Sequence, residues 1–360
     1  MARGSDGTIA GERAKRDIRV LIVDDSEFAR EMLAGILSMD DEIHVAGQAV
    51  NGLDAITKVR ELSPDIVTMD IEMPVMNGID AIEKIMAATP VPIVVITSLD
   101  DVDTAYRAIS KGALDVFHKP GFDEEKAKSF IQKIKLLSRY RLTWKNNERT
   151  RADAALPDAR RPGTTAVYGE NNNRRIIAIA SSTGGPKALS IILPYLPASL
   201  PCPVVIAQHI SHGFVSGLTD WLKTICKINI KVAEKGESLQ PATAYVSPSE
   251  WNMGITSDKT VDLKAGQQSD IYHPSCDVLL FSAAVTFREN TIGIILSGMG
   301  SDGAAGMKKI RDSGGTTIAQ DEATSVVFGM NKVAIDDGAI GKVMPVTGIG
   351  KEILSILKMI

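Results

Sequence analysis

The segment IRVLIVDDS at residues 18–26 decides the fold of the first half of the chain. It is a short apolar run that ends in two aspartates, which predicts a buried strand with a polar carboxyl end. Similar apolar runs lie at residues 43–46, 66–69, 92–96 and 114–117. Between them, segments such as 27–38 and 53–62 carry apolar residues three and four positions apart. Five strands alternating with five helices predict a parallel sheet covered on both faces, with a ligand site at the carboxyl ends of its strands.

The same alternation returns after residue 175. Apolar runs occupy residues 176–180, 203–207, 228–233, 291–296 and 316–319. Helical periods occupy residues 186–196, 215–225, 276–287 and 304–312, and a hairpin is predicted between residues 244 and 263. The pattern predicts a second doubly wound, mostly parallel sheet, so the fold class is α/β.

Length and composition predict two domains joined by a linker. The 360 residues exceed what one domain of about 150 residues uses. Residues 139–174 carry eight Lys or Arg, four Asp or Glu and no sustained apolar period, which is typical of a flexible linker. We therefore expect a disordered extension at 1–17, a first domain at 18–138 and a second at 175–360. Continuation of the last helix of the first domain through residue 144 stays open.

The overall composition excludes several classes of partner and location. Forty Lys and Arg against 44 Asp and Glu give a net charge of −4, which favours neither nucleic acid nor an anionic membrane as partner. No apolar run approaches the roughly 18 residues of a membrane span, and no secretory signal is recognisable, so a cytoplasmic protein without membrane insertion is predicted. The three cysteines are too widely spaced for a CxxC metal site.

Five polar residues follow four strands of the first predicted sheet. Asp24 and Asp25 follow the first strand, Asp70 the third, Thr97 the fourth and Lys119 the fifth. Carboxylates at this density favour a bound Mg²⁺, and the whole set suits phosphoryl transfer to a carboxylate. Each aspartate alone is equally typical of a helix cap, but caps do not explain five residues at four strand ends.

The first half resembles a response-regulator receiver domain of the two-component signalling family. The resemblance is carried by VDDS at 23–26, MDIEMPVMNG at 69–78, ITS at 96–98 and KP at 119–120. It implies a flavodoxin-like sheet and phosphate transfer from a histidine kinase to Asp70. It also implies a Mg²⁺ site of Asp24, Asp25, Asp70 and the Glu72 backbone, and binding of the phosphoryl group by Thr97 and Lys119.

One position departs from the receiver pattern. Many receivers carry an aromatic switch residue three positions before the lysine, where this chain has Val116. Phe117 is adjacent but is expected to face the other side of the strand. A Tyr- or Phe-type switch is therefore not expected to work in the usual way.

Serine and histidine candidates follow two strands of the second predicted sheet. The sequence ASSTG at 180–184 fits a small-x-Ser-x-Gly elbow, which favours Ser182 over Ser181 as nucleophile, with the Thr183 amide as oxyanion support. His209 follows the next strand and is the candidate general base, with His212 as an alternative further along the loop. Singly, such residues are more often a helix cap and a structural histidine.

The third strand end supplies an aspartate within SGMGSDG at 297–303. Asp302 is placed to orient the histidine, and the Met299 amide to help bind an oxyanion. The same segment is a G-x-G-x-x-G with Asp321 eighteen residues beyond Gly303, so a nucleotide-binding interpretation also stays open on form alone. It falls late in the domain, with too few residues after it to wind a full dinucleotide-binding sheet.

The second half resembles the catalytic domain of chemotaxis protein-glutamate methylesterases, through SSTGGP at 181–186, AQHI at 207–210, GMGSDGA at 298–304 and AQDEATSVVFGM at 319–330. The resemblance implies a Rossmann-like serine hydrolase with a triad of Ser182, His209 and Asp302 and no cofactor in this domain. The implied substrate is the glutamate γ-methyl ester of methyl-accepting chemoreceptors, with methanol released. Glutamine deamidation is implied as a second activity, and a chemotaxis histidine kinase as phosphodonor.

Control by the first domain is a hypothesis at this point. The unphosphorylated receiver is expected to cover the strand ends that carry Ser182, His209 and Asp302, and phosphorylation of Asp70 to shift the population toward an open arrangement. The alternative function is a phosphorylation-controlled module that binds a ligand without hydrolysis.

Overall fold

A computed structural model describes residues 17–98, 102–121, 123–140, 175–266 and 274–360. The predicted extension at 1–17 and linker at 139–174 lie outside the described residues, apart from their ends at 17 and 139–140. Two parallel sheets are present, as the sequence predicts.

The first sheet has the strand order β2-β1-β3-β4-β5, and all its pairs are parallel. Its strands are β1 (Ile18–Val23), β2 (Ile43–Ala49), β3 (Ile66–Met69), β4 (Ile93–Thr97) and β5 (Asp115–His118). Its helices are α1 (Glu27–Leu37), α2 (Gly52–Leu62), α3 (Gly78–Ala88), α4 (Val102–Ala105), α5 (Arg107–Ser110) and α6 (Glu124–Leu137). Strand β3 is buried along its whole length because helices cover both faces, which explains its unbroken apolar sequence.

The second sheet has the order β14-β13-β12-β6-β7-β9-β8. Its strands are β6 (Ile176–Ser181), β7 (Val204–Gln208), β8 (Asn229–Val232), β9 (Thr243–Val246), β12 (Thr291–Ile295), β13 (Thr316–Gln320) and β14 (Lys342–Met344). Its helices are α7 (Gly185–Ile192), α8 (Val215–Ile225), α9 (Cys276–Phe287), α10 (Ala304–Asp312), α11 (Met330–Asp336) and α12 (Val346–Ile356). Two further strands, β10 (Trp251–Ile255) and β11 (Val261–Ala265), form a separate antiparallel pair.

The hairpin predicted between residues 244 and 263 is wrong in its first part. Strand β9 lies inside the seven-stranded sheet, parallel to both β7 and β8. All four of its residues are buried, so it lacks the alternation of a solvent-exposed hairpin strand. Only β10 and β11 form the hairpin, joined by the turn between them.

The two sheet regions contact each other through aromatic side chains. Tyr106, which follows α4, stacks on Trp221 of α8 with ring centroids 6.1 Å apart. His118 of β5 meets the ring of Phe214 edge-on at 5.9 Å. Phe117 lies in an apolar cluster that also contains Val326 and Val327 of the second region. These contacts hold the end of β5 beside the carboxyl ends of the second sheet.

Candidate active site

Three neighbouring strands of the second sheet deliver the candidate triad. Strand β6 lies between β12 and β7. Ser182 follows β6 directly, His209 follows β7 directly, and Asp302 lies in the loop after β12. Because the strands are parallel, all three residues emerge at one edge of the sheet.

Ser182 lies on a sharp turn between β6 and α7. Its amide donates to the Ser297 carbonyl at 3.0 Å, and its carbonyl accepts from Gly185 N–H at 2.7 Å. Gly184 has φ +79°, a left-handed conformation that favours glycine. A Cβ on Gly185 would lie 2.0 Å from Gln208 Oε1, so that position also requires glycine.

Gln208 fixes this turn to the neighbouring strand. Its Nε2 donates to the Ser182 carbonyl at 2.9 Å and to the His209 carbonyl at 2.8 Å. Its Oε1 accepts from Ser181 Oγ at 2.7 Å. Ser181 is therefore a structural residue, which supports Ser182 as the nucleophile. Sequence analysis overlooked Gln208, although a polar residue closing an apolar strand was a signal for it.

His209 and Asp302 are in direct contact. His209 Nε2 lies 2.8 Å from Asp302 Oδ2. This bond assigns the ring proton to Nε2, so Nδ1 is the nitrogen that can accept a proton from serine. In the usual serine-hydrolase triad the aspartate contacts Nδ1 and Nε2 acts as the base. Here Asp302 contacts Nε2, so the candidate base is Nδ1.

Asp302 is buried and accepts several further hydrogen bonds. The amides of Cys276 and Asp277, at the start of α9, donate to its carboxylate at 2.6 and 3.0 Å, and Ser275 Oγ does so at 3.2 Å. Burial acts to raise its pKa, but the bond from His209 and these amides together hold the pKa of Asp302 below its usual value. The lowered pKa favours the charged carboxylate, which is the form that can stabilise a protonated imidazole.

The serine hydroxyl shares a cleft with the histidine ring. The cleft has a volume of about 710 Å³ and is lined by Ser182, Thr183, His209 and Met299, among others. Among the described residues no hydrogen bond joins Ser182 Oγ to His209, which is common in substrate-free hydrolases. The two predicted oxyanion residues, Thr183 and Met299, line the same space.

The alternative base His212 does not share this cleft. It is 78% exposed, and its Nδ1 lies 2.5 Å from Glu250 Oε1. The G-x-G-x-x-G segment packs against Ser182. A Cβ on Gly298 would lie 2.7 Å from Ser182 Cβ, so glycine allows the two loops to approach closely. Asp321 accepts hydrogen bonds from Thr324, as a local turn residue does.

The first sheet region covers one side of this cleft. Asp115 Oδ2 accepts a hydrogen bond of 2.9 Å from Gly184 N–H, two residues beyond Ser182. Asp115 is 5% exposed, and burial raises its pKa to about 6, although the bonds from Gly184 and Val116 oppose the shift. Asp115 belongs to the first sheet and Gly184 to the second region, and no sequence pattern in either described segment links the two. Sequence analysis therefore could not predict this contact.

The predicted acidic cluster is also assembled, at the carboxyl edge of the first sheet. Oxygens of Asp24, Asp25 and Asp70 all lie within 4.8 Å of one another. Lys119 Nζ lies 2.7 Å from Asp24 and 2.9 Å from Asp70. Burial raises the pKa of Asp70 to about 6, against the hydrogen bond from Lys119 and with the help of the Asp24 charge.

The same cluster fits a cation and a phosphoryl group. Three convergent carboxylates are a hard oxygen donor set, and Glu72 lines the cleft beside Asp25. The Thr97 hydroxyl is buried and has no hydrogen-bond partner among the described residues, as expected of a group that awaits an acceptor. Val116 and Phe117 lie in different apolar clusters on opposite faces of β5, so Phe117 does not replace the missing aromatic residue.

Comparisons with known proteins cover both halves. Residues 177–353 match the CheB methylesterase family and residues 20–132 match the response regulator receiver domain family. The chain is 43% identical over 347 residues to a Paramagnetospirillum magneticum protein named protein-glutamate methylesterase/protein-glutamine glutaminase 3, covering 95% of this chain and 97% of that one. A Pyrococcus abyssi protein named protein-glutamate methylesterase/protein-glutamine glutaminase is 35% identical over 356 residues, covering 96% and 95%.

A solved structure, the Thermotoga maritima CheB methylesterase catalytic domain, is 36% identical and covers 51% of this chain and 98% of that chain, with a TM-score of 0.49. No helix in the described part of the chain is long and apolar enough to cross a membrane.

Proposed function

The chain belongs to the CheB methylesterase family with a response regulator receiver domain, and we propose that Ser182, His209 and Asp302 are its catalytic triad. It is a protein-glutamate methylesterase and protein-glutamine glutaminase, under the phosphorylation control that a receiver domain implies. Family membership does not support the alternative of a binding module without hydrolysis. The observation that carries the triad is the 2.8 Å His209–Asp302 bond beside a serine on a sharp turn.

The reaction follows from the positions of these groups. Ser182 Oγ attacks the γ-carbonyl carbon of a methylated glutamate while His209 Nδ1 takes the hydroxyl proton. Asp302 holds the ring through Nε2 and stabilises the imidazolium. Amides of Thr183 and Met299 are the proposed donors to the oxyanion.

The intermediate then breaks down in two stages. His209 returns its proton to the leaving methoxide, so methanol departs and an acyl-serine remains. Water, activated by the same nitrogen, hydrolyses that ester and restores Ser182. A glutamine side chain follows the same route, with ammonia as the leaving group.

Substrate and phosphodonor are proposed from the family. The substrate is the helical cytoplasmic region of a methyl-accepting chemoreceptor, and the phosphodonor is a chemotaxis histidine kinase. A helical substrate is bulky, and the cleft beside Ser182 is bounded by Asp115, Phe117 and Lys133 of the receiver region. In this arrangement the receiver blocks the approach of a helix to Ser182.

Phosphorylation of Asp70 is proposed to release this block along β5. Lys119, which pairs with Asp70 and Asp24, lies four residues from Asp115, which holds Gly184 N–H. A phosphoryl group on Asp70 adds charge and competes for Lys119, and the buried Thr97 hydroxyl offers it a hydrogen bond. Asp115 is the first residue of β5 and Lys119 directly follows its last residue, so a displacement of Lys119 is transmitted to Asp115 along this strand.

Mg²⁺ fits the acidic cluster, with Asp24, Asp25, Asp70 and the Glu72 backbone as its proposed ligands. When bound, it offsets the repulsion between these carboxylates and an incoming phosphate. Lys119 supplies the remaining positive charge from the protein.

The proposal is tested by methanol release from a methylated chemoreceptor. Wild type and Ser182→Ala are compared, each with and without a small-molecule phosphodonor and Mg²⁺. We expect release that requires Ser182 and rises with the phosphodonor. Equal release by Ser182→Ala would overturn the assignment of the nucleophile.

A further inference from the structure

The thiol of Cys276 lies behind the His209–Asp302 pair and has no part in the proposed mechanism. Its Sγ is 3.4 Å from His209 Nε2, the same nitrogen that faces Asp302. It is fully buried at the start of α9, and its nearest backbone acceptor is the Ala207 carbonyl at 3.5 Å. A thiol, an imidazole nitrogen and a carboxylate oxygen therefore converge, all within 4.8 Å of one another.

These three donor types are those of protein zinc sites. Zn²⁺ binds thiolate sulfur at about 2.3 Å and histidine nitrogen or carboxylate oxygen at about 2.0–2.2 Å, usually as a tetrahedron. Ligands at those lengths lie about 3.6 Å apart for sulfur and nitrogen and about 3.3 Å apart for nitrogen and oxygen. The observed separations of 3.4 and 2.8 Å require only small outward movements.

We propose that His209, Cys276 and Asp302 form an inhibitory site for a thiophilic divalent cation such as Zn²⁺. One carboxylate and one thiolate neutralise the two positive charges, so the bound ion adds little net charge to a buried position. The soft thiolate selects Zn²⁺ or Cd²⁺ over Mg²⁺. Of the three proposed ligands, His209 lines the cleft that contains Ser182.

Inhibition follows from the histidine tautomer. The free enzyme carries the ring proton on Nε2 and uses Nδ1 as the base. A metal at Nε2 moves that proton to Nδ1, and Nδ1 can then no longer accept the serine proton. The ring proton stays on His209. The proton released to solvent comes from the Cys276 thiol, because coordination deprotonates it.

Without metal, Cys276 stays neutral. Burial raises the pKa of its thiol well above the usual value, with the Asp302 charge adding to the shift. The thiol therefore neither competes with Ser182 as a nucleophile nor disturbs the His209–Asp302 bond. Metal binding must displace this proton.

Direct binding is tested by the ultraviolet charge-transfer band of a Cd²⁺–thiolate bond in the full-length protein. We expect the band in wild type and in Cys226→Ser, a matched control at a cysteine outside the proposed site, and its loss in Cys276→Ser and Cys276→Ala. A band that persists in both Cys276 variants would overturn the proposal. This readout does not require hydrolysis, so it tests the metal site independently of whether the proposed esterase activity is found.

Inhibition is tested by methyl-ester hydrolysis in the presence of Zn²⁺, with Mg²⁺ as the hard-cation control and a chelator to reverse the effect. We expect Cys276→Ser to need more than about tenfold more Zn²⁺ than wild type for half-inhibition. Zinc bound at the acidic cluster of the receiver would affect both proteins alike. Equal zinc sensitivity of wild type and Cys276→Ser, or wild-type activity unchanged by zinc, would contradict the proposed site.

Discussion

Replacing Asp115 tests how the receiver closes the active site. Its carboxylate is the hydrogen-bond partner of Gly184 N–H across the interface. Asp115→Asn retains an acceptor oxygen and removes the charge. Asp115→Ala removes the acceptor, so Gly184 N–H is left without this partner when the receiver is docked.

The difference between the two variants can be estimated from this contact. A buried donor that loses its partner costs about 1–3 kcal/mol. The docked state of Asp115→Ala is therefore weaker than that of Asp115→Asn by roughly 5- to 150-fold in equilibrium constant. In the proposed arrangement only the undocked state admits a helical substrate, so basal activity should rise by the same factor, up to the phosphorylated maximum.

The basal activity of wild type is also expected to depend on pH, because wild type retains the ionisable Asp115 carboxyl. Burial raises the pKa of Asp115 from 3.8 to about 6 in the docked protein. The stabilising contribution of the protonated carboxyl is therefore complete below about pH 3.8 and is lost as the pH rises through about 6. The ratio of the basal activity of wild type to that of Asp115→Asn should therefore increase between about pH 3.8 and pH 6. Taking the ratio cancels the effect of every other titrating group, because both proteins contain it.

The assay is hydrolysis of methylated receptor without phosphodonor, normalised to activity with phosphodonor. The three proteins should have equal activities when phosphorylated, because the receiver is then released. Equal basal activities of Asp115→Ala and Asp115→Asn would refute the role assigned to this hydrogen bond.

Three further substitutions test other parts of the account. Asp302→Asn should lower kcat by about 10⁴ with little change in KM, because the charge that stabilises the imidazolium is lost; a loss below tenfold in steady-state kinetics would contradict this. Gly298→Ala places a Cβ 2.2 Å from Met330 Sδ and 2.7 Å from Ser182 Cβ. It should destabilise by about 1–3 kcal/mol and reduce kcat, and an unchanged Tm and kcat would count against this close approach. Thr97→Val removes a buried hydroxyl without a partner among the described residues, so Tm should not fall, while the lifetime of the phosphorylated form should shorten; a marked loss of Tm would show that the hydroxyl is satisfied.

Most of the sheet architecture could be predicted from local sequence. Strands such as β3 and helices such as α9 coincide with their predicted runs, because apolar period and length distinguish them. The β9 assignment failed since a short buried strand and a hairpin strand look alike until the neighbours are known. The pairing of β9 with β7 and β8 depends on other segments of the chain, so the residues of β9 alone do not predict it.

The site was predictable where its residues follow strands directly. Ser182 and His209 are the first residues after β6 and β7, so parallel topology alone brings them to one edge. The ring nitrogen that faces Asp302, the thiol of Cys276 and the contact of Asp115 with Gly184 were not predictable. Each depends on side-chain direction or on a surface contributed by a distant part of the chain.

The most direct test of the central claim is the rate at which a serine-reactive fluorophosphonate labels the full-length protein, with the modified residue located by mass spectrometry. The account predicts a single label at Ser182 in wild type and no label in Ser182→Ala. Labelling at another serine, or undiminished labelling of Ser182→Ala, would contradict it.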